Sequence, residues 1–542
     1  MTIPMPGRAV VRRTAIVLSL LFLFTAPGAM FPAARAQAEE ESVTFEIRGF
    51  EVTGNTVLTE QAVYDALEGF TGPEKLSADV EAARNHLESL YHDMGYPTVL
   101  VNIPEQTVDD GLVTMQVIES RIRWVKVTGN RYFTKEKIMS ALPSFRSGTI
   151  LYVPHVKEDL ARLNTNPDFT VTPVLKPARE LGFIDVELKV EDRLPLHASL
   201  ELNNRSTHTT SDLRANAMVR YENLWQKEHA LSVQYQTAPE APEEVQVLAV
   251  SYVLPSPWAG SHLIALFGVA SDSETAFGEG FQVTGAGSLF GARYVIPLDS
   301  RDNYYHTFTL GLDYKDFDET LGFGAEEDEE ALQTPITYLP LSLAYRGTHA
   351  GRTGMTRLDT ALNMAFRGIV TDQEEFSIKR RRARGNYLYA TLGLERLQDL
   401  FWGFGLLGRV DGQIASQPLI SNEQYSAGGM ESVRGYKENE VMGDHAFHGT
   451  VELSAPNLRE VFGLKGNVEI VPYGFYDYAW LMLKDVLEGQ DKYTEIDGAG
   501  VGVRGKLTKY ISFRMDWATA LKDTDNVRQG DTEVHFQVVL ER

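Results

Sequence analysis

At 542 residues the chain is too long for a single core and must divide into domains. A hydrophobic content of 43% and a mean hydropathy of −0.21 exclude a bundle of many membrane helices, but not a β-barrel, in which only alternate strand residues meet lipid. A formal charge of −23 disfavours nucleic acid as a main partner, and the absence of cysteine excludes disulfides and thiolate metal sites.

The N-terminus has the three parts of a secretory signal. Arg8, Arg12 and Arg13 form a basic region, Ala15 to Phe24 is an almost unbroken apolar run, and Ala34-Arg35-Ala36 or Ala36-Gln37-Ala38 supplies a small-residue cleavage site. A membrane anchor is the competing reading, but the run is shorter than the ~20 residues a span needs. Residues 1–38 are therefore expected to be a signal peptide. No long apolar run follows, so any membrane crossing must be made by strands.

A duplication comes next. Val52-Thr53-Gly54-Asn55 recurs as Val127-Thr128-Gly129-Asn130, and Thr59, Val63, Ala66 and Leu67 recur at the same offset as Thr134, Ile138, Ala141 and Leu142. Each copy predicts a strand (Phe45 to Thr53; Ile122 to Thr128) that stops at a Gly-Asn turn. A short helix N-capped by Thr59 or Thr134 follows. The second helix carries Val80, Ala83, Leu87, Leu90, Tyr91 and Met94 on one side before Gly95; its counterpart carries Val156, Leu160 and Leu163 before Asn166-Pro167. Two strands close each unit: Thr98 to Ile103 with Leu112 to Ile118, and Val171 to Leu175 with Phe183 to Val190, the last with Ile184, Val186, Leu188 and Val190 inward and Asp185, Glu187 and Lys189 outward. The order is β-α-α-β-β over 43–120 and again over 121–193.

From Leu196 the period changes to two. Leu196, Ala198, Leu200 and Leu202 alternate with His197, Ser199, Glu201 and Asn203, and comparable segments include Phe308 to Tyr314, Leu339 to Tyr345, Leu358 to Phe366, Gly466 to Trp480, Ile511 to Leu521 and Val534 to Leu540. About sixteen such antiparallel strands fill 194–542, each near the ~10 residues a tilted membrane strand requires. Connections alternate in length: Lys315 to Pro335, Gly368 to Gly385, Ser416 to Ala446 and Leu481 to Glu495 are long, whereas Pro297 to Asn303, Gly347 to Thr353 and Gln398 to Phe401 are short. A soluble sandwich shares the residue alternation but not this asymmetry between its two ends, so the pattern favours a transmembrane β-barrel, greasy outside and polar within.

Three motifs carry a family resemblance. The β-α-α-β-β unit with its V-x-G-N turn resembles the POTRA (polypeptide-transport-associated) domain. The long sixth external loop contains Val433-Arg434-Gly435-Tyr436, and the next strand but one contains Phe475-Tyr476-Asp477; these resemble the V-R-G-F/Y and F-x-D motifs of the POTRA-plus-barrel outer-membrane superfamily. Two POTRA units before about sixteen strands are similar to its two-partner-secretion branch, the TpsB transporters (ShlB/FhaC/HecB-like haemolysin secretion/activation proteins). The resemblance implies a loop over 416–446 that folds into the lumen, with Arg434 paired to Asp477 on the wall, Gly435 turning the backbone, and Val433 and Tyr436 packing there.

It also implies a Gram-negative outer-membrane location, POTRA domains in the periplasm and an unfolded TpsA-type exoprotein as partner, with no enzymatic activity, no cofactor, no metal and no nucleic acid. Membrane lipid and, during biogenesis, the barrel-assembly machinery complete the expected partners. The closest rival on the same fold is a BamA/TamA-like assembly factor that inserts other barrels; a passive solute porin would need no docking domains. The chain departs from the branch in two places. Only a few residues separate the cleavage site from the strand at Thr44, so no plug helix fits there and occlusion is expected to rest on the loops. The end Val539-Leu540-Glu541-Arg542 also lacks the terminal aromatic of many barrels.

Other signals carry less. The basic run Lys379-Arg380-Arg381-Arg382-Ala383-Arg384 is compatible with lipid phosphates but more commonly marks a solvated or lumen-facing segment. Gly498-Ala499-Gly500-Val501-Gly502 sits in a strand pattern and opens no helix, so it reads as a strand making room for neighbours. His445 and His448 lack a third metal ligand, and Glu326 to Glu330 lacks calcium-loop spacing.

Overall fold

Backbone sterics explain the repeated V-T-G-N. Gly54 and Gly129 adopt φ of +82° and +88°, and a Cβ on either would lie 2.3 Å from a carbonyl oxygen, that of Val117 or Val190. Only glycine meets both demands. The acid ending the last strand of each repeat then caps the turn. Glu119 accepts the amides of Thr56 (2.6 Å) and Val57 (3.0 Å), and Asp192 accepts those of Arg131 (2.8 Å), Tyr132 (2.6 Å) and Phe133 (2.9 Å).

The computed structural model describes residues 44–542 apart from 109, 165, 273, 274, 279, 280, 285, 302, 322–331, 464, 465 and 467. The expected signal peptide (1–38) and the acidic run Glu326–Glu330 lie outside the described residues. The chain forms two units, one ending at Leu194 and the other spanning Pro195–Arg542.

In the first unit, the strand expected over Phe45 to Thr53 is split at Arg48. Phe45–Ile47 pairs antiparallel with Gly72–Lys75, while Gly49–Thr53 runs parallel to Leu112–Glu119, which pairs antiparallel with Val99–Asn102. The amides of Arg48 and Gly49 converge on the carbonyl of Gly111 (2.7 and 3.4 Å), which turns the chain from one partner to the other. Helices Glu60–Leu67 and Ser77–Asp93 cover one face. The second repeat copies the plan: Arg121–Thr128 parallel to Phe183–Asp192, that strand antiparallel to Phe169–Pro177, with helices Lys135–Ser140 and Val153–Leu163.

Thr59 and Thr134 cap the first helices, each hydroxyl accepting an amide three residues on at 3.3 Å. Val80, Ala83, Leu87 and Tyr91 are buried, whereas Met94 is exposed because the helix has ended and Gly95 (φ +96°) redirects the chain. Asp185, expected outward, is buried against Arg123 at 2.6 and 2.9 Å.

Among the described residues the second unit contains sixteen barrel strands, each antiparallel to its neighbours, the ring closed by Thr532–Glu541 against Leu196–Asn203. The eighth is interrupted at Leu339, which separates Leu332–Tyr338 from Pro340–Gly351. Parity behaves as the alternation requires: Leu200 is 53% exposed on the outer face, with Leu202, Val219, Leu231 and Val233 also outward, while Asn203, Gln234 and Gln236 are buried inside.

The long connections differ from expectation in content. Most of the loop expected over Lys315 to Pro335 is strand, paired from Lys315↔Tyr338 to Leu321↔Leu332. Gly368 to Gly385 holds the helix Gln373–Lys379. At the end of the barrel where its first strand begins, connections are short except 455–468, which accommodates the helix Leu458–Phe462.

Candidate functional site: loop six against the barrel wall

Strand parity builds the receiving surface. His445–Ser454, Glu469–Met482, Tyr493–Lys506, Ile511–Ala520 and Thr532–Glu541 are consecutive, and every second residue of each faces the lumen. Phe475 and Asp477 point inward while Tyr476 between them is exposed on the outer face. The spacing of F-x-D is thus the spacing of one face of a strand.

Arg434 enters this wall with 2% of its surface exposed. Its Nε donates to Asp477 Oδ2 at 2.7 Å, Nη2 to Oδ1 at 2.8 Å, and its own amide to Oδ2 at 3.2 Å. The guanidinium carbon lies 3.3 Å from the Phe475 ring centroid, so one side of the planar cation is covered by the aromatic face. Glu452 (3.5 Å) and Asp516 (3.8 Å) complete the surroundings of Nη1.

These acids are balanced in turn. Arg504 reaches Glu452 at 2.5 Å, and Arg514 reaches Asp516 at 2.8 Å and Glu431 of the loop at 2.9 Å. The three wall carboxylates and Arg434 are buried, and the partly exposed Arg504 and Arg514 complete their pairing, as desolvated charge requires.

The turn itself explains V-R-G-Y. Gly435 has φ +100° and packs on the backbone of Thr519 and Ala520, while its amide donates to His535 Nε2 at 3.2 Å. Val433 and Tyr436 are buried with Ala479, Leu481, Ile496 and Ala520. The Tyr436 hydroxyl lies 2.9 Å from the Lys522 carbonyl and accepts the Lys522 amide at 3.2 Å. The glycine-rich strand is the other half of the fit: a Cβ on Gly498 would sit 1.9 Å from the Arg434 carbonyl oxygen. The room this strand makes is room for the loop.

The family resemblance implied Arg434 beside Asp477, whereas Glu452, Arg504, Arg514, Asp516 and His535, which sit in ordinary alternating strands, carried no signal in the sequence. The sequence was also silent on a second anchorage at the far end of the loop. Glu423 accepts Lys315 (2.6 Å), Tyr338 (2.7 Å) and Tyr389 (2.7 Å). Asp444 accepts Arg380 twice (2.6 and 2.7 Å) and the amides of Leu419 (2.8 Å) and Lys484 (2.7 Å).

Arg380 belongs to the basic run, and Arg382 pairs with Asp485 at 2.7 Å, so the run ties loops five, six and seven together. Phe376, Leu419 and Ile420 pack there with Tyr338 and Tyr387. His448 is buried, with Nδ1 2.6 Å from Asp411 Oδ2 and Nε2 3.3 Å from the Thr450 hydroxyl.

A sixteen-strand barrel with an in-folded loop, preceded by POTRA units, defines an outer-membrane transporter of the POTRA-plus-barrel class. Residues 182–505 match the haemolysin secretion/activation protein family ShlB/FhaC/HecB, and residues 45–120 match the POTRA domain, ShlB-type. The chain belongs to the ShlB/FhaC/HecB family, the outer-membrane transporters of two-partner secretion, which implies a secreted partner protein. Its barrel lies in the outer membrane and its POTRA domains in the periplasm.

The outer membrane transporter CdiB of Dickeya dadantii (strain 3937) is 20% identical over 415 residues, 76% of this chain and 72% of that protein. Among solved structures, CdiB from Escherichia coli aligns with a TM-score of 0.60 at 18% identity, covering 95% of this chain and 94% of its own. BamA from Haemophilus ducreyi lacking POTRA domains 1–3 aligns with a TM-score of 0.56 at 13% identity, covering 92% and 100%. At these identities the structural likenesses speak for the fold.

Proposed function

We propose that the Arg434–Asp477 pair, seated by Val433, Gly435, Tyr436 and Phe475, is the latch that holds loop six in its working position while an unfolded exoprotein passes the barrel. On this reading residues 1–38 are a leader removed on export, 43–120 and 121–193 are the domains that receive the client in the periplasm, and 194–542 conduct it. The protein catalyses no reaction and needs neither cofactor nor nucleic acid; folding of the client outside supplies the drive. Membrane lipid surrounds the barrel, and the assembly machinery is met only during biogenesis.

The observation that carries the latch is the bidentate, fully buried pairing of Arg434 with Asp477 over the Phe475 ring. Breaking such a pair leaves an uncompensated buried charge. Arg434→Ala is expected to change both pore conductance in planar bilayers and export of the partner to the medium. If both stay at wild-type values, the latch role is wrong.

A further inference from the structure

Two arginines of the lumen wall reach loop six beside the latch and hold a residue that the latch does not use. Arg409 lies on strand Gly405–Ala415 and Arg514 on strand Ile511–Ala520, with three strands between them. At ~4.8 Å per strand, roughly 19 Å of wall separates the two. Their guanidiniums nevertheless converge on one loop carboxylate: Arg514 Nη1 donates to Glu431 Oε1 at 2.9 Å, and Arg409 Nη1 stands 4.0 Å from Oε2. Both also hold the backbone of the turn. Arg514 Nη2 donates to the Met430 carbonyl at 3.0 Å, and Arg409 Nη1 to that of Glu431 at 3.4 Å.

Each guanidinium is aimed by an acid of its own wall. Glu395 takes Arg409 through Nε and Nη2 (3.2 and 2.8 Å), and Asp516 takes Arg514 through Nε (2.8 Å). In both arginines Nη1 is the nitrogen left for the loop, so the pair forms an oriented receptor for one carboxylate. Access separates this site from the latch. The Arg434 side chain is 3% exposed and closed to competitors, whereas that of Glu431 is 49% exposed, with Arg409 at 33% and Arg514 at 21%. A carboxylate arriving from the lumen meets these two cations while Arg434 stays seated.

We infer that Arg409 and Arg514 form a carboxylate-binding site of the lumen, filled at rest by Glu431 and taken over in transit by aspartate or glutamate side chains of the exported polypeptide. Glu431 is then a built-in competitor. Exchanging one carboxylate for another leaves neither guanidinium unpaired, so an acidic segment passes without a large desolvation cost and without being trapped. The inference rests on the reading that the partner passes through the barrel.

The test places the full mature protein in planar bilayers under a potassium chloride gradient and titrates current block by hexaglutamate and by hexalysine. Glu431→Gln keeps the shape of the side chain and removes its charge. It should shift the reversal potential toward that of chloride and lower the hexaglutamate concentration for half block about five-fold, the size of one half-exposed charge contact, with no gain for hexalysine. Adding Arg409→Gln should undo both changes, which a mere loosening of the loop would not allow. An unchanged reversal potential in Glu431→Gln, an equal gain for hexalysine, or changes that Arg409→Gln leaves standing overturns the inference. Export of the partner by the unaltered protein is scored in parallel: if export proceeds while the pore results fail, only this site assignment falls, and if export itself fails, the transport reading falls and takes the polypeptide ligand with it.

Discussion

Loop six is anchored twice, and the two anchorages are built differently. At its tip, Arg434 is buried among three carboxylates and shares them with the partly exposed Arg504 and Arg514, so that each buried acid of the wall has a guanidinium beside it. At the barrel mouth, Glu423 and Asp444 are carboxylates that collect neutral and cationic donors from other loops and strands: two tyrosines, a lysine, an arginine and backbone amides. The tip is a plug in a shaped socket. The mouth is a knot that ties neighbouring loops to one another. Damage at the tip should therefore release the loop from the wall, whereas damage at the mouth should loosen the cap and leave the tip seated.

The largest effect is expected from Arg434→Ala, which strips Asp477 of its partner and costs about 3–5 kcal/mol. The temperature at which the folded barrel loses its compact migration on denaturing gels should fall, with altered conductance. Arg434→Lys should lie between, because an ammonium cannot pair bidentately or stack flat on Phe475. Next comes Gly498→Val, which leaves every charge in place but puts a side chain where the Arg434 carbonyl sits, an overpacking of about 1–3 kcal/mol. It should reproduce the Arg434→Ala conductance. A wild-type pore in Gly498→Val would mean the socket is not what seats the loop.

At the mouth, Asp444→Asn removes the charge that binds Arg380 and should cost about 1.5–3 kcal/mol. Its signature is different: more frequent openings in single-channel records, with a wild-type response to Arg434→Ala retained. The double variant sharpens the comparison. Independent anchorages should add within about 0.5 kcal/mol, whereas a coupling above that would show that the tip and the mouth act as one device.

The two anchorages also differ in how far the sequence betrays them. Val433 to Tyr436 is one turn and Phe475 to Asp477 one strand face, so each set of contacts lies within a few residues and leaves a readable motif. The repeated Gly54 and Gly129 are legible for the same reason: a single backbone demand sits at a single position. Strand alternation likewise made the sixteen-strand barrel readable, because lipid on one side and lumen on the other impose a period of two.

The mouth is assembled from Lys315, Tyr338, Tyr389 and Glu423, four residues of separate elements, and none is unusual for a strand or loop. Only the closed barrel brings them together. The basic run Lys379 to Arg384 was visible, but nothing adjacent in the sequence indicates that Arg380 would find Asp444, 64 residues on. The strand pairing beyond Lys315 was hidden similarly, since a polar strand projecting past the membrane has the composition of a loop.

The smallest effect tests how much of the tip's grip is polar. Tyr436→Phe keeps the ring that packs on Ala479, Leu481 and Ile496 and removes only the hydroxyl that meets the Lys522 amide and carbonyl. Leaving those backbone groups short of a partner should cost about 1 kcal/mol. A shift of a few degrees in barrel melting with unchanged conductance is the expected result, because Arg434 still holds the loop. Should Tyr436→Phe instead open the pore as fully as Arg434→Ala, the charge network would not be the principal restraint, and the contrast between a shared-charge socket at the tip and a knot of mixed neutral and cationic donors at the mouth would have to be abandoned.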